Sequence, residues 1–249
     1  MTSGSRHVAI ILPLPTMSEV QLHYEKKKDV PESIRKYWDQ RKDLFSLYHH
    51  GIHLTHDAWF GVTPEAVANK IATDVALAVP ENKNIIIDAF GGAGGNTIAF
   101  ARSGRWERIF AIEKDPEVIK CAKRNAEIYG VANKIWWVEG DVFDMLSTRF
   151  KSLGGNAVVF ASPPWGGPAY RGSKVFDLSR MQPYNLATLL PSLWGFSGHV
   201  VLYLPRTSDL NQLAEYVPKG DKIQVRHYCL HGASKALCVY YGNWKAFRS

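Results

Sequence analysis

Ile85-Ile86-Ile87 is a continuous apolar run without polar alternation, the pattern of a strand covered on both faces. From there on, short apolar runs alternate with longer amphipathic stretches. The runs predict strands near 85–90, 108–113, 134–139, 156–161 and 198–204, and the stretches predict helices near 95–102, 116–129, 182–193 and 208–217. Asp115-Pro116 starts the second of these helices and Gly130 stops it. The tail, about 221–243, carries Ile223, Val225 and Tyr228, then Leu237, Val239 and Tyr241, which read as two more strands. The whole predicts an α/β fold: a mostly parallel seven-stranded sheet, helices on both faces, and an antiparallel strand at its end.

The first third has a different pattern. Ile34, Tyr37, Trp38, Phe45 and Tyr48 fall near helical spacing between Pro31 and Gly51, which predicts a helix with a basic polar side of Arg35, Lys36, Arg41 and Lys42. A second helix begins at Thr63-Pro64-Glu65, with Thr63 as its cap and Val67, Ile71 and Val75 as its apolar side. The expected organisation is a flexible lead-in over 1–29, a helical extension over 30–80 and the α/β domain over 81–249. The Lys26-Lys27-Lys28 run reads as a solvated surface or a weak RNA-contact or nuclear-import feature.

Composition narrows the class. The chain has 249 residues, 46% hydrophobic and 21% charged, which excludes disordered, collagen-like and disulfide-scaffold classes. Its net charge of +7 favours a polyanionic partner, or marks only a soluble basic protein. Cys121, Cys229 and Cys238 are too scattered for a disulfide framework or a metal-ligand spacing, which points to a reducing, intracellular setting and no metal. Val8–Leu14 is short and broken by Pro13, so it does not read as a signal peptide. No apolar run approaches the roughly 20 residues that span a bilayer, so no membrane partner is expected.

Candidate chemistry gathers after the predicted strands. Asp88-Ala-Phe-Gly91-Gly92-Ala-Gly94-Gly95 follows the first strand and precedes a helix, where an open α/β sheet binds ligands. Glycines there let a ligand lie on bare backbone. Without a Gly-Lys-Ser/Thr ending, the loop is not a triphosphate cradle. Asp88 suits a ligand ammonium, Glu113 at the second strand's end suits two ribose hydroxyls, and Asp141 after the third suits an adenine amine. Each acid taken alone also reads as a helix cap or a loop residue. Three at successive strand ends favour S-adenosyl-L-methionine.

Ser162-Pro163-Pro164-Trp165 follows the fourth strand. The two prolines stiffen an extended backbone, freeing the Ser162 hydroxyl and the Pro163 carbonyl to take the N–H groups of an amine conjugated to a ring. Trp165 offers a flat stacking surface. A plain Pro-Pro turn is the bland alternative.

These motifs resemble the class I S-adenosylmethionine-dependent amino-methyltransferases. With Lys36-Tyr-Trp-Asp-Gln-Arg41, Trp59-Phe-Gly-Val-Thr-Pro-Glu65, Ser162–Pro168 and Leu204-Pro-Arg206 added, the chain resembles the trimethylguanosine synthase family from about residue 30 onward. The resemblance implies a Rossmann-like methyltransferase fold. It also implies dimethylation of the 2-amino group of a 7-methylguanosine RNA cap to a 2,2,7-trimethylguanosine cap, on small nuclear and small nucleolar RNAs. By the same resemblance Phe60, Thr63, Asp88, Gly91, Gly94, Glu113 and Asp141 bind the cofactor. Ser162, Pro163, Pro164 and Trp165 are catalytic. Trp165, Lys36, Tyr170 and Arg206 hold the cap, and nuclear or nucleolar ribonucleoprotein partners follow. Trp59 and Phe60 are both open to plain core packing. The chain departs from the family pattern at Gly91, where cysteine is frequent, and at Glu113, where aspartate is frequent; both changes preserve the expected chemistry. The competing expectations are an amino-methyltransferase for DNA, structured RNA or protein glutamine, and a non-catalytic RNA-binding module.

Overall fold

The computed structural model describes residues 21–167, 172, 174–218 and 223–245. The apolar runs form β1 (Ile85–Asp88), β2 (Arg108–Glu113), β3 (Ile135–Glu139), β4 (Ala157–Ala161) and β5 (Val200–Pro205), and the tail forms β6 (Gln224–Leu230) and β7 (Ala233–Tyr241). One 7-stranded sheet has the order β3-β2-β1-β4-β5-β7-β6. β1 to β5 are parallel, and β1, β4 and β5 are buried at every position.

The antiparallel strand is not at the sheet's end, as expected, but second from it: β7 pairs antiparallel with both β5 and β6. The reason lies in side chains. Most of β7 is apolar and buried, so it takes the inner place. β6 carries Arg226 and His227 and takes the edge, where polar side chains are tolerated.

The helical extension also differs from expectation. In place of one helix from Pro31 to Gly51 there are 3-10 turns at Glu32–Ile34 and Tyr48–His50 around α1 (Arg35–Asp39) and α2 (Arg41–Leu44). Gln40 and Phe45 leave helical geometry. Helical spacing alone does not hold such short segments; tertiary packing does. Here it draws Ile34, Trp38, Leu44, Phe45 and Tyr48 all into the core. Gly51 ends the run at φ 88°, a value suited to glycine.

α3 (Ala58–Gly61) and α4 (Glu65–Ala78) follow. Thr63 does not cap α4; its hydroxyl accepts a hydrogen bond from Asn96 Nδ2 at 3.0 Å. Glu65 pins the extension instead, accepting from the Ser46 amide (2.6 Å), the Tyr129 hydroxyl (2.6 Å) and Arg102 Nη1 (2.9 Å). α5 (Gly95–Arg102) and α6 (Pro116–Ile128) fall where predicted, and Asp115 caps α6 through the Glu117 amide at 2.8 Å. α7 (Val142–Ser147) is an additional helix. α8 (Leu186–Phe196) starts later than expected, behind its cap Asn185, and α9 (Leu210–Ala214) is shorter than expected.

Residues 1–20, including Val8–Leu14, lie outside the described residues. Within the rest of the expected lead-in, Tyr24 is buried and its carbonyl accepts from the Trp38 indole at 3.0 Å. Tyr24 and the extension residues Ile34 and Trp38 join Ile86, Val158, Phe160 and Val201 in one hydrophobic cluster on one face of the sheet. Side chains of α7, α8 and α9 pack on the other.

Candidate active site

The strand order reverses between β1 and β4, which makes their C-terminal ends the natural ligand crevice. Parallel pairing brings the predicted acids to that edge in turn: Asp88 ends β1, Glu113 ends β2, and Asp141 follows β3. Ser162–Trp165 leaves β4 beside them, and Arg206 follows β5.

Asp88 is fully buried. Oδ2 accepts from the Thr97 hydroxyl at 2.6 Å, while Oδ1 has no hydrogen-bond partner among the described residues. Burial raises its pKa from 3.8 to about 7, against the pull of the Thr97 hydroxyl and the Phe90 amide, with the Glu113 charge adding to the rise. A buried carboxyl oxygen with no donor is costly to leave unpaired, so this one is poised for a cationic or hydrogen-bonding ligand.

The loop glycines divide by role. Added Cβ atoms at Gly91 and Gly94 would meet Ala111 Cβ at 3.2 Å and Trp137 at 3.3 Å, so these two let the loop lie tightly on protein. Gly92, at φ 50°, meets only the Phe90 carbonyl at 4.0 Å and presents the bare backbone. The sequence places Gly92 in the loop, but the resemblance assigned only Gly91 and Gly94 to the cofactor.

Glu113 braces this loop. Oε2 accepts from the Gly92 amide at 3.1 Å, and Oε1 from the Lys114 and Asp115 amides at 2.8 and 3.0 Å. A carboxylate offers about four acceptor positions, so roughly one remains for a ribose hydroxyl. Asp141 is likewise engaged: Oδ1 accepts from the Phe143 amide (2.9 Å) and Oδ2 from the Tyr184 hydroxyl (2.6 Å). That hydroxyl's pKa is pushed up to about 12 by its bond to Asp141. Phe143 and Phe90 pack against the Tyr184 ring, at 4.9 and 6.1 Å between centroids. Sequence offered no signal for Tyr184, because it meets Asp141 only through the fold.

Asn125 of α6 is a second unpredicted element. Fully buried, it donates to the carbonyls of His53 and Ala93 (both 2.9 Å) and accepts from the His53 amide (2.8 Å). One amide thus ties the extension to the glycine loop.

In the Ser162–Trp165 segment, Pro163 is buried, Ser162 and Trp165 are half-buried, and Pro164 is exposed. The Trp165 indole N–H donates to the Tyr203 carbonyl at 3.3 Å, and the two rings lie 5.7 Å apart at 34°. Trp165 and Phe60 pack against the same core cluster. Phe60 makes edge contacts with Tyr37 (5.1 Å) and His56 (5.4 Å), whereas Trp59 is wholly buried as a core residue. The backbone and side chain of Val62–Thr63 lie 3.6 Å from a Cβ built at Gly95, which puts Thr63 against the start of α5. Arg206 is exposed and its Nη1 donates to the Ser234 carbonyl at 3.3 Å. Lys36 lies exposed on α1 and makes no side-chain hydrogen bond or ion pair among the described residues. Tyr170 lies outside the described residues.

Comparison with known proteins identifies relatives of the chain. Residues 83–244 match the model of the RNA cap guanine-N2 methyltransferase family. The chain is 39% identical over 214 residues to a trimethylguanosine synthase of Schizosaccharomyces pombe, covering 85% of this chain and 87% of that one. It is 39% identical over 186 residues to the Saccharomyces cerevisiae trimethylguanosine synthase, covering 74% of this chain and 58% of that one. Among solved structures, a putative methyltransferase from Porphyromonas gingivalis W83 shares the fold. Its TM-score is 0.63 at 16% identity, over 86% of this chain and 51% of that one.

Proposed function

The chain belongs to the RNA cap guanine-N2 methyltransferase family, which uses S-adenosylmethionine, and we propose that it methylates the 2-amino group of a 7-methylguanosine cap twice. The product would be the 2,2,7-trimethylguanosine cap. Small nuclear and small nucleolar RNAs, met in the nucleus with their bound proteins, are the proposed substrates. The observation that carries this reading is the Ser162–Trp165 loop at the β4 end, between three carboxylates on one side and Arg206 on the other.

S-adenosylmethionine supplies a methyl group on a sulfonium. The residues present fit it: the unpartnered Asp88 Oδ1 suits an ammonium, and Gly92 offers open backbone. We assign Phe60, Thr63, Asp88, Gly91, Gly94, Glu113 and Asp141 to its site. For the acceptor, Ser162 and the Pro163 carbonyl take the N–H groups of the 2-amino group (one N–H in the second round) and turn its lone pair out of conjugation. After each transfer, with the thioether leaving, the attacked nitrogen has become acidic and gives up its proton by way of Ser162 or water. The prolines keep that geometry without reorganisation, so the task is positioning. Trp165 stacks on the cationic 7-methylguanine, and a cation on an indole gains about 0.5–2 kcal/mol. Lys36, Tyr170 and Arg206 hold the triphosphate bridge.

The test is a 7-methylguanosine cap dinucleotide with labelled cofactor, read by mass spectrometry. Two added methyl groups are expected. Transfer that stops at one, or that goes to uncapped RNA instead, would overturn the reading.

A further inference from the structure

The sheet's order places the far side of the ligand edge under a hairpin that the proposed chemistry does not use. β7 runs antiparallel to β5, so its first residues stand beside the C-terminal end of β5, with Ala236 opposite Pro205. β6 runs in the direction of β5, so its last residues and the His231-Gly232 turn stand on the same edge. Neighbouring strands are about 4.8 Å apart, so the edge continues roughly 10 Å beyond Arg206.

This rim is basic. Between Ile223 and Lys245 there is no Asp or Glu, while Arg226, His227, His231 and Lys235 all lie there. Two of the four already face acids from packed elements: Arg226 lies 3.5 Å from Asp74, and His231 lies 3.4 Å from Asp43. Lys235 makes no ion pair among the described residues. His227 Nδ1 lies 3.3 Å from the Ser234 hydroxyl, and the Ser234 carbonyl accepts from Arg206. Ser234 thus joins the proposed triphosphate arginine to the hairpin's basic side chains. The turn passes through left-handed backbone at His231, φ 52°, a region that histidine enters more readily than most side chains.

Resting on the cap reading, we propose that Lys235 and His227 bind the phosphodiester backbone of the first nucleotides after the cap triphosphate. The RNA then crosses the sheet edge in order: guanine at β4, triphosphate at β5, chain at the β6–β7 hairpin. The occupant is single-stranded RNA because the surface is continuous with the triphosphate residues and complementary in charge. Such interactions give affinity without sequence preference.

The test compares a 7-methylguanosine cap dinucleotide with a capped ten-nucleotide RNA, for the full chain and its Lys235→Glu, Lys235→Arg and His227→Gln variants. Kd and KM are measured over a salt series. For the dinucleotide, every variant should match the parent. For the capped RNA, Lys235→Glu should weaken binding by about tenfold or more at low salt, and Lys235→Arg should keep it. The slope of log K against log salt should become shallower by about 0.7 for each phosphate that the variant no longer neutralises. For Lys235→Glu, equal losses on both substrates, or no loss on either, would overturn the proposal. Failure of the parent to methylate the dinucleotide would overturn the cap reading instead. Circular dichroism of each variant separates misfolding from a local loss of phosphate binding, and His227→Gln, expected to weaken the capped RNA a few-fold and the dinucleotide not at all, carries the test if Lys235→Glu fails to fold.

Discussion

Replacing Trp165 by leucine tests the reading of the cap's charge. The Trp165 ring is half-buried over Tyr203 and aimed by its indole N–H on the Tyr203 carbonyl. Leucine keeps apolar contact with Tyr203 but removes the π face. A cation–π contact contributes about 0.5 kcal/mol when exposed and about 2 kcal/mol when desolvated. At about 1.4 kcal/mol per factor of ten, that spans roughly twofold to thirtyfold. Tyr203 already dries one side of the indole, which places the expectation in the upper part, about tenfold. The assay is the ratio of kcat/KM for a 7-methylguanosine cap dinucleotide over its unmethylated counterpart. In Trp165→Leu this ratio should fall about tenfold, on top of any common loss. Trp165→Phe keeps a ring but not the N–H, so its ratio should fall less. If both substrates lose activity equally and the ratio holds, Trp165 does not read the positive charge.

Asp88 gives a pH prediction. With a pKa near 7 in the folded chain, its contribution to stability is full below the unfolded value near 3.8 and is lost as pH rises through about 7. An ammonium at Oδ1 favours the ionised form, so S-adenosylhomocysteine affinity should rise with pH up to about 7 and level off. Calorimetry in buffers of different ionisation enthalpy should show proton release at pH 6, and Asp88→Asn should abolish it. Asn125→Ala leaves the His53 amide and two carbonyls without partners. It should cost about 2–4 kcal/mol of stability in a denaturant titration and weaken S-adenosylhomocysteine binding; an unchanged midpoint would remove the clasp. Tyr184→Phe frees Asp141 Oδ2. Fluorescence titration should then show S-adenosylhomocysteine binding more tightly by a few-fold, because an adenine amine no longer competes with the hydroxyl; weaker binding would mean that the hydroxyl itself holds the ligand.

What can be read from the sequence divides along physical lines. β1, β4 and β5 are legible because full burial writes itself as an unbroken apolar run. The α6 boundary is legible because Asp115 and Pro116 act within one turn. The extension departs from its helical pattern because short amphipathic segments owe their geometry to what they pack on. Thr63 looks like a cap from its neighbours, yet its partner is Asn96, far along the chain. The same distance hides Asn125 and Tyr184, whose partners meet only after folding. The order of β6 and β7 is likewise set by burial on the finished sheet. The strand-end acids and the Ser162–Trp165 loop come to one edge as the motif order anticipates, but Glu113 and Asp141 are structural braces as well.

The Asn125 amide carries a consequence for cooperativity. Residues 30–80 and 81–249 divide the chain by pattern, but one side chain between His53 and Ala93, and one shared cluster beneath, couple the two parts. They should therefore melt as a single calorimetric unit, with no separate transition for the extension. Chain cut away before residue 81 would take with it the support of the glycine loop, so the cofactor end of the protein owes part of its rigidity to the segment that precedes it.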